Sequence, residues 1–346
     1  MKGKAAACDT LFFSMTLEYL ETYMPKQLGR SPQTVKAHRD ALSVFRRFLL
    51  KHKKFSIRSF FFHDLTPALV QDFILHLKSK GNSASTCNRR LTSLRSYLWF
   101  ASDRDIALQS VALRIAKIPL CKEAQKEKEI LSPDAMSCIL RQPANTKMGL
   151  RDRVAMILLY DSAIRLDELL SLTVQDVVLE RNDPYIRVRG KGSKERIVAI
   201  TKLTAEHLQE YIRVFHQGSQ DSKQNLLFFT KIKGNTGKMS EGNVERFIKQ
   251  YAEQAKSICG EIPEKTHPHM FRRSRATMLY QSGVELALIS RILGHAQIET
   301  TRGYATPSMG MLREAMESVE TVEQTVEKPL WETCSEDDLA KLCGLR

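Results

Sequence analysis

After Ser31 the apolar residues Val35, Leu42, Phe45, Phe48 and Leu49 keep close to a 3.6-residue spacing, while Lys36, Arg39, Arg46, Arg47 and Lys51 fall largely elsewhere. That pattern predicts an amphipathic helix with a basic outer face. A second such helix follows the turn "KGNSAS", with Leu91, Leu94 and Leu98 as its stripe and Arg89, Arg90 and Arg95 interrupting it. With "TPALVQDFILHLK" between them, residues 10–115 read as a small all-helical domain. Helix starts are marked by Ser31-Pro32, Thr66-Pro67, Ser132-Pro133 and Thr306-Pro307: the hydroxyl caps free N–H groups, and proline fits the first helical position. Residues 116–130, "AKIPLCKEAQKEKEI", are charged around one proline and read as an interdomain linker. Residues 131–318 form a second domain. Its pattern is helical except over 183–200, where two Ile/Val-rich runs flank a Gly-containing turn and predict a β-hairpin. Residues 204–216, 240–258, 269–282 and 285–293 read as helices. The tail 319–346 is polar until "SEDDLAKLCGL", which suits a short amphipathic helix. The expected fold class is mainly α with a small β-hairpin or sheet, an α+β arrangement.

Composition adds a partner. The 346 residues are 42% hydrophobic and 27% charged, a globular balance sufficient for two domains, and the net charge of +14 favours an anionic partner, nucleic acid or an acidic surface. The tail carries −4, leaving +18 on the rest. No apolar run is long enough to span a bilayer, and the stretch "LFFSM" is too short for a signal-peptide core, so a cytoplasmic protein without membrane association is expected. Seven cysteines without a C-x-x-C pair suit neither a disulfide framework nor a zinc knuckle.

Four stretches in the second domain could carry chemistry. "LLYDSAIRLDELLSL" sets Arg165 among apolar residues with Glu168 three residues on, either a structural ion pair or a functional cation. "RGKGSKER" offers Lys191 and Lys194 at the hairpin tip, and does not match a phosphate-binding P-loop. "HPHMFRRSRATML" puts His269 and Arg272 on one helical face; no further ligand at suitable spacing supports a metal there. "LALISRILGHAQIETTRGYA" carries His295 and Tyr304, and alternatively resembles the helix-turn-helix of a non-catalytic regulator. Two arginines, a lysine, two histidines and a tyrosine together suit attack on a phosphodiester without a metal or other cofactor. Guanidiniums clamp the non-bridging oxygens, a lysine protonates the leaving oxygen, and surrounding cations favour the phenolate.

These motifs resemble the tyrosine recombinases, or phage integrase family, in the style of Xer-like and transposon-encoded members. The "AIRLDEL" stretch matches the first arginine motif with Arg165 and Glu168, "GKGSKER" the hairpin lysine with Lys191, "HMFR" the H-x-x-R motif with His269 and Arg272, and "LGH" the motif of His295. Tyr304 follows nine residues later at the nucleophile position. Ala163 stands where glycine is common, and Arg273 where many members have histidine. The resemblance implies an N-terminal core-site-binding domain and a C-terminal catalytic domain forming a C-shaped clamp on DNA. It also implies strand cleavage through a 3′-phosphotyrosyl intermediate, with Lys191 as general acid, His269 as base and His295 as an added donor. Lys36, Arg39, Arg46, Arg89, Arg90, Arg95 and Lys194 are the candidate DNA contacts. The implied assembly is a homotetramer on double-stranded DNA with specific core sites, or a hetero-oligomer with a related recombinase. The tail helix would then dock on a neighbouring protomer, a disordered solubilising tail being the alternative. A type IB topoisomerase is a further alternative with the same chemistry.

Overall fold

In the computed structural model, the described residues are 10–123, 129–179, 182–190, 195–217, 225–232, 234–295, 298–317 and 334–345. The chain divides into two compact units, Met1–Glu127 and Lys128–Arg346.

The first unit opens with the single turn α1 (Thr16–Glu18), which continues as a π-helical segment to Gln27, and is built on α2 (Pro32–Phe48), α3 (Pro67–Ser79), α4 (Ala84–Arg104) and α5 (Gln109–Ala116). The caps form as their residue types require. Ser31, Thr66 and Ser83 each accept a hydrogen bond from the backbone N–H three residues on. Val35, Leu42, Phe45, Phe48 and Leu49 are buried, as are Leu91, Leu94 and Leu98. The core is unusually aromatic: Phe12 meets Tyr97 edge-on at 5.2 Å between centroids, and Phe45 meets Phe73 at 5.0 Å. Asn88 clips the chain after α5 to α4, donating to the Cys121 carbonyl at 2.9 Å and accepting from its N–H at 2.7 Å.

The second unit holds α6 (Pro133–Arg141), α7 (Lys147–Ser162), α8 (Leu166–Ser171), α9 (Lys202–Phe215), α10 (Glu241–Lys256), α11 (Pro268–Gln281), α12 (Leu286–Leu293), α13 (Glu299–Arg302) and α14 (Met309–Glu317), with α15 (Glu336–Leu342) in the tail. The expected hairpin is present as β2 (Tyr185–Arg189) and β3 (Glu195–Ala199), antiparallel with Ile186 opposite Val198. Ile186, Val188 and Val198 point into the core, and Arg187, Arg189 and Ile197 outward. Two features lie outside the sequence reading: β1 (Val177–Val178), which makes the hairpin a three-stranded sheet, and a second hairpin, β4 (Phe229–Ile232) with β5 (Asn235–Lys238). A two-residue strand has no period to detect, and every residue of β5 is exposed. The start expected at Thr306-Pro307 is corrected by two residues: Ser308 accepts from the N–H of Met311, and the helix begins at Met309. Among the described residues no helix is long and apolar enough to cross a membrane.

Candidate active site

α7 ends at Ala163, which is fully buried and adopts the left-handed conformation, φ 51° and ψ 26°. A Cβ in that region costs roughly 1–2 kcal/mol, which accounts physically for a preference for glycine at this turn. The turn delivers Arg165 to the N-cap of α8. There Glu168, at the third helical position, accepts from the Arg165 backbone N–H at 2.8 Å and from its guanidinium at 3.0 Å. The three-residue spacing of the motif is thus a capping interaction with a charged partner. The ion-pair reading of Arg165 holds without excluding the functional one: its side chain is 45% exposed, while that of Glu168 is 5% exposed.

α11 supplies the second arginine. Arg272 is 1% exposed, the largest fully buried side chain among the described residues, and donates to the carbonyls of Ala163 at 2.6 Å and Leu293 at 2.7 Å. Burial, and then the neighbouring Arg165, push it down to about 10, which leaves it cationic at neutral pH. Its Nε has no hydrogen-bond partner among the described residues. A buried, unmatched N–H on a cation is a strong inducement to bind an anion.

The L-G-H turn follows α12. Gly294 closes the helix at φ 63°, and His295 is held at both nitrogens. Its Nε2 lies 2.9 Å from Arg272 and its Nδ1 2.8 Å from the Thr301 hydroxyl. A guanidinium can only donate, so Nε2 carries the lone pair and the proton sits on Nδ1. In this arrangement His295 supports Arg272. Burial first, then Arg272, Arg165 and Arg196, push the imidazole down to about 4.

This sets a pH signature. The unfolded chain protonates the imidazole near 6.5 and the folded protein near 4, so the unfolded state binds more protons between those values. Stability is fully present above pH 6.5 and falls as pH drops through the window. Glu168 acts lower: burial opposes its charge, but hydrogen bonds from Arg196 and the Arg165 N–H outweigh it and hold the carboxyl below its usual 4.5. His295→Gln, which retains a donor and an acceptor, is expected to flatten Tm against pH between 6.5 and 4 relative to the parent; coincident curves in thermal melts would refute it.

Tyr304 lies just after α13 with 6% of its surface exposed, its ring among Ala163, Ala276, Ile289 and Leu293. Thr277 donates to its carbonyl at 3.0 Å, and its hydroxyl is 3.2 Å from Nε2 of His269. Arg165, His269, Arg272, His295 and Tyr304 thus form one cluster. Lys191 and Lys194 lie outside the described residues, between β2 and β3. Arg196, the last residue of the hairpin motif, belongs to the site although sequence reasoning passed over it. It donates twice to Glu168, at 3.0 and 2.8 Å, and once to the Ile292 carbonyl at 3.2 Å. The available signal was strand alternation, which puts Arg196 on the face of Val198.

In the first unit Lys36, Arg46 and Arg89 are exposed. Arg39 pairs with Glu21 at 2.6 Å, both half exposed, and Arg90 donates to Asn82 at 3.1 Å. Arg95, partly buried, donates to the carbonyls of Ile115 and Ile118, capping the end of α5.

A nearly buried phenol thus faces a histidine beside two guanidiniums, residue types suited to phosphodiester chemistry. Residues 129–311 match the Phage integrase family, and residues 17–105 match the Phage integrase, N-terminal SAM-like domain. The chain is 30% identical over 297 residues to tyrosine recombinase XerD of Staphylococcus epidermidis (strain RP62A), covering 86% of this chain and 95% of that protein. To XerD of Oceanobacillus iheyensis it is 27% identical over 292 residues, covering 84% and 93%. The fold is shared with XerH recombinase bound to difH substrate, at a TM-score of 0.64 and 22% identity over 87% of this chain and 84% of that one. It is likewise shared with the Tn1549 transposon integrase in complex with transposon right end DNA, at 0.65 and 18% over 88% and 99%. The chain belongs to the phage integrase family of tyrosine recombinases. It is a site-specific recombinase that cuts and rejoins DNA strands, in a family whose general route is a phosphotyrosyl intermediate.

Proposed function

We propose that Tyr304 is the nucleophile, and that Arg165 and Arg272 hold the scissile phosphate. The observation that carries this reading is the Tyr304 hydroxyl on Nε2 of His269, beside an Arg272 whose Nε awaits an acceptor. His269 takes the phenolic proton as the tyrosyl oxygen attacks phosphorus. The bond from phosphorus to the 5′ oxygen breaks, and Lys191 supplies the proton that makes a 5′-hydroxyl. A 5′-hydroxyl from the same or a partner duplex then attacks the phosphotyrosine and releases Tyr304. The covalent link conserves the bond energy, so the reaction needs neither ATP nor a metal.

The test of the acid is Lys191→Ala on two substrates. On ordinary DNA the variant is expected to attach covalently at roughly 10²–10⁴-fold lower rate. On DNA whose 5′ bridging oxygen is replaced by sulfur, a leaving group that needs no proton, the rate returns to near the parent's. Equal rates on ordinary DNA would reject Lys191.

The protein's natural setting is the cytoplasm, at specific core sites of a DNA element or chromosome, where it integrates, excises or resolves. Lys36, Arg46 and Arg89 are the phosphate contacts best placed in the first unit, with Arg39 and Arg90 available once their surface partners are exchanged. Four strand breaks on two duplexes require a tetramer, homomeric or shared with a related recombinase. α15 suits a docking role between protomers: Ser335 caps it, and its acidic first turn precedes Leu339 and Leu342.

A further inference from the structure

Arg196 is a strongly engaged guanidinium beside the site that the proposed steps leave unused. Its two terminal nitrogens form a fork onto both oxygens of Glu168, and these side chains are only 16% and 5% exposed. Through Glu168 it reaches Arg165, whose backbone and guanidinium both depend on the same carboxylate. Through Nε it reaches the Ile292 carbonyl, three residues before His295. The turn between them is shaped to admit it: a Cβ on Gly294 would lie 2.9 Å from the Cζ and Nε of Arg196, so the guanidinium lies against bare backbone. Gly294 is thus required twice, for its positive φ and for this close approach. Arg196 also pairs with Val188 near the start of β3, five residues after Lys191 along the same hairpin.

We infer that Arg196 is a positioning residue that joins the two halves of the phosphate pocket, setting Arg165 through Glu168 and the His295 turn through the Ile292 carbonyl. The inference rests on the assignment of Arg165 and Arg272 to the phosphate. Lysine cannot replace it, because a point cation has no planar fork with which to engage both carboxylate oxygens and a carbonyl together. Glu168 faces Arg165 from its own helix, Arg196 from β3 and Arg272 from α11, so loss of the fork leaves it with weaker charge compensation.

The experiment compares parent, Arg196→Lys and the double variant Glu168→Gln/Arg196→Gln, which removes both charges of the fork together. Covalent attachment to nicked DNA is followed in a single turnover across pH, with DNA affinity and Tm measured alongside. Arg196→Lys is expected to attach about 10–100-fold more slowly, with DNA affinity within about threefold of the parent, as for loss of a positioning contact. Its rate also falls more steeply on the acid side than the parent's, beyond the fall set by the His269 base, because Glu168 protonates more readily. The double variant is slow without that added fall. A slower rate matched by lost folded protein, with an unchanged pH profile, would reduce Arg196 to a structural ion pair and overturn the inference; so would an unchanged rate.

If the parent itself forms no attachment, the site assignment fails separately. Arg196 is then decided on free protein by carboxyl and imidazole NMR titration. In Arg196→Gln both Glu168 and His295 are expected to titrate higher than in the parent, and an unmoved Glu168 would overturn the coupling.

Discussion

Tyr304→Phe is expected to abolish detergent-resistant attachment to DNA while leaving the protein folded and bound. Phenylalanine keeps the ring that packs against Ala163, Ala276, Ile289 and Leu293, and loses the hydroxyl that contacts His269. Loss of that hydrogen bond costs about 1 kcal/mol, within reach of an unchanged fold at working temperature. Loss of the nucleophile removes the reaction path, a deficit on the order of 10⁴ or more in rate. The readout is DNA that stays with the protein after denaturation, and sequencing it reveals the cleaved site. Salt-sensitive DNA binding is expected to be the same in both proteins, since both keep every lysine and arginine available to phosphates. An adduct that persists in Tyr304→Phe would move the nucleophile elsewhere.

Arg272→Ala is expected to fail in a different way, losing both rate and stability. The rate falls by roughly 10²–10³, the loss that follows removal of one preorganised donor to a developing oxyanion. Stability falls by about 2–4 kcal/mol, because the carbonyls of Ala163 and Leu293 lose the donor that satisfies them inside the protein. Arg272→Lys separates the two effects. It retains charge and can reach one carbonyl, so folding recovers further than cleavage does. The measurements are single-turnover attachment and thermal melts on the same preparations. A variant that melts with the parent and cleaves as fast would show that Arg272 neither holds the turn nor faces the phosphate.

The site was legible because its chemistry demands short, fixed spacings. Arg165 and Glu168 are three apart because the carboxylate must reach the N-cap, and His269 and Arg272 are three apart because both must project from one side of α11. Tyr304 follows His295 closely because Thr301, one turn before the phenol, is the partner that sets the imidazole's tautomer. What escaped is what depends on distant segments. Arg196 acquires its meaning only when β3, α8 and the Ile292 turn meet; alternation along β3 indicates its face but not its partners. The contacts of Arg95 escaped for the same reason, since its carbonyl partners lie 20 and 23 residues away. Strand β1 is too short to carry a period, and β5, "NTGK", has polar residues on both faces. The stripes of α2 and α4, by contrast, were readable, because apolar periodicity and Ser caps agree there.

The charge of the pocket has a consequence for the direction of the reaction. Arg165, Arg196 and Arg272 gather around the single carboxylate of Glu168 among the described residues, and this surplus of positive charge attracts any phosphodiester equally. A strand before exchange and the strand made by it are the same functional group with the same charge. The pocket therefore lowers the barrier for joining as much as for cutting, and holds no memory of which occurred last. Whether an element enters, leaves or merely returns to its starting arrangement is decided by which 5′-hydroxyl arrives at the phosphotyrosine first. The geometry of the assembled DNA, and not the catalytic residues, must carry that decision.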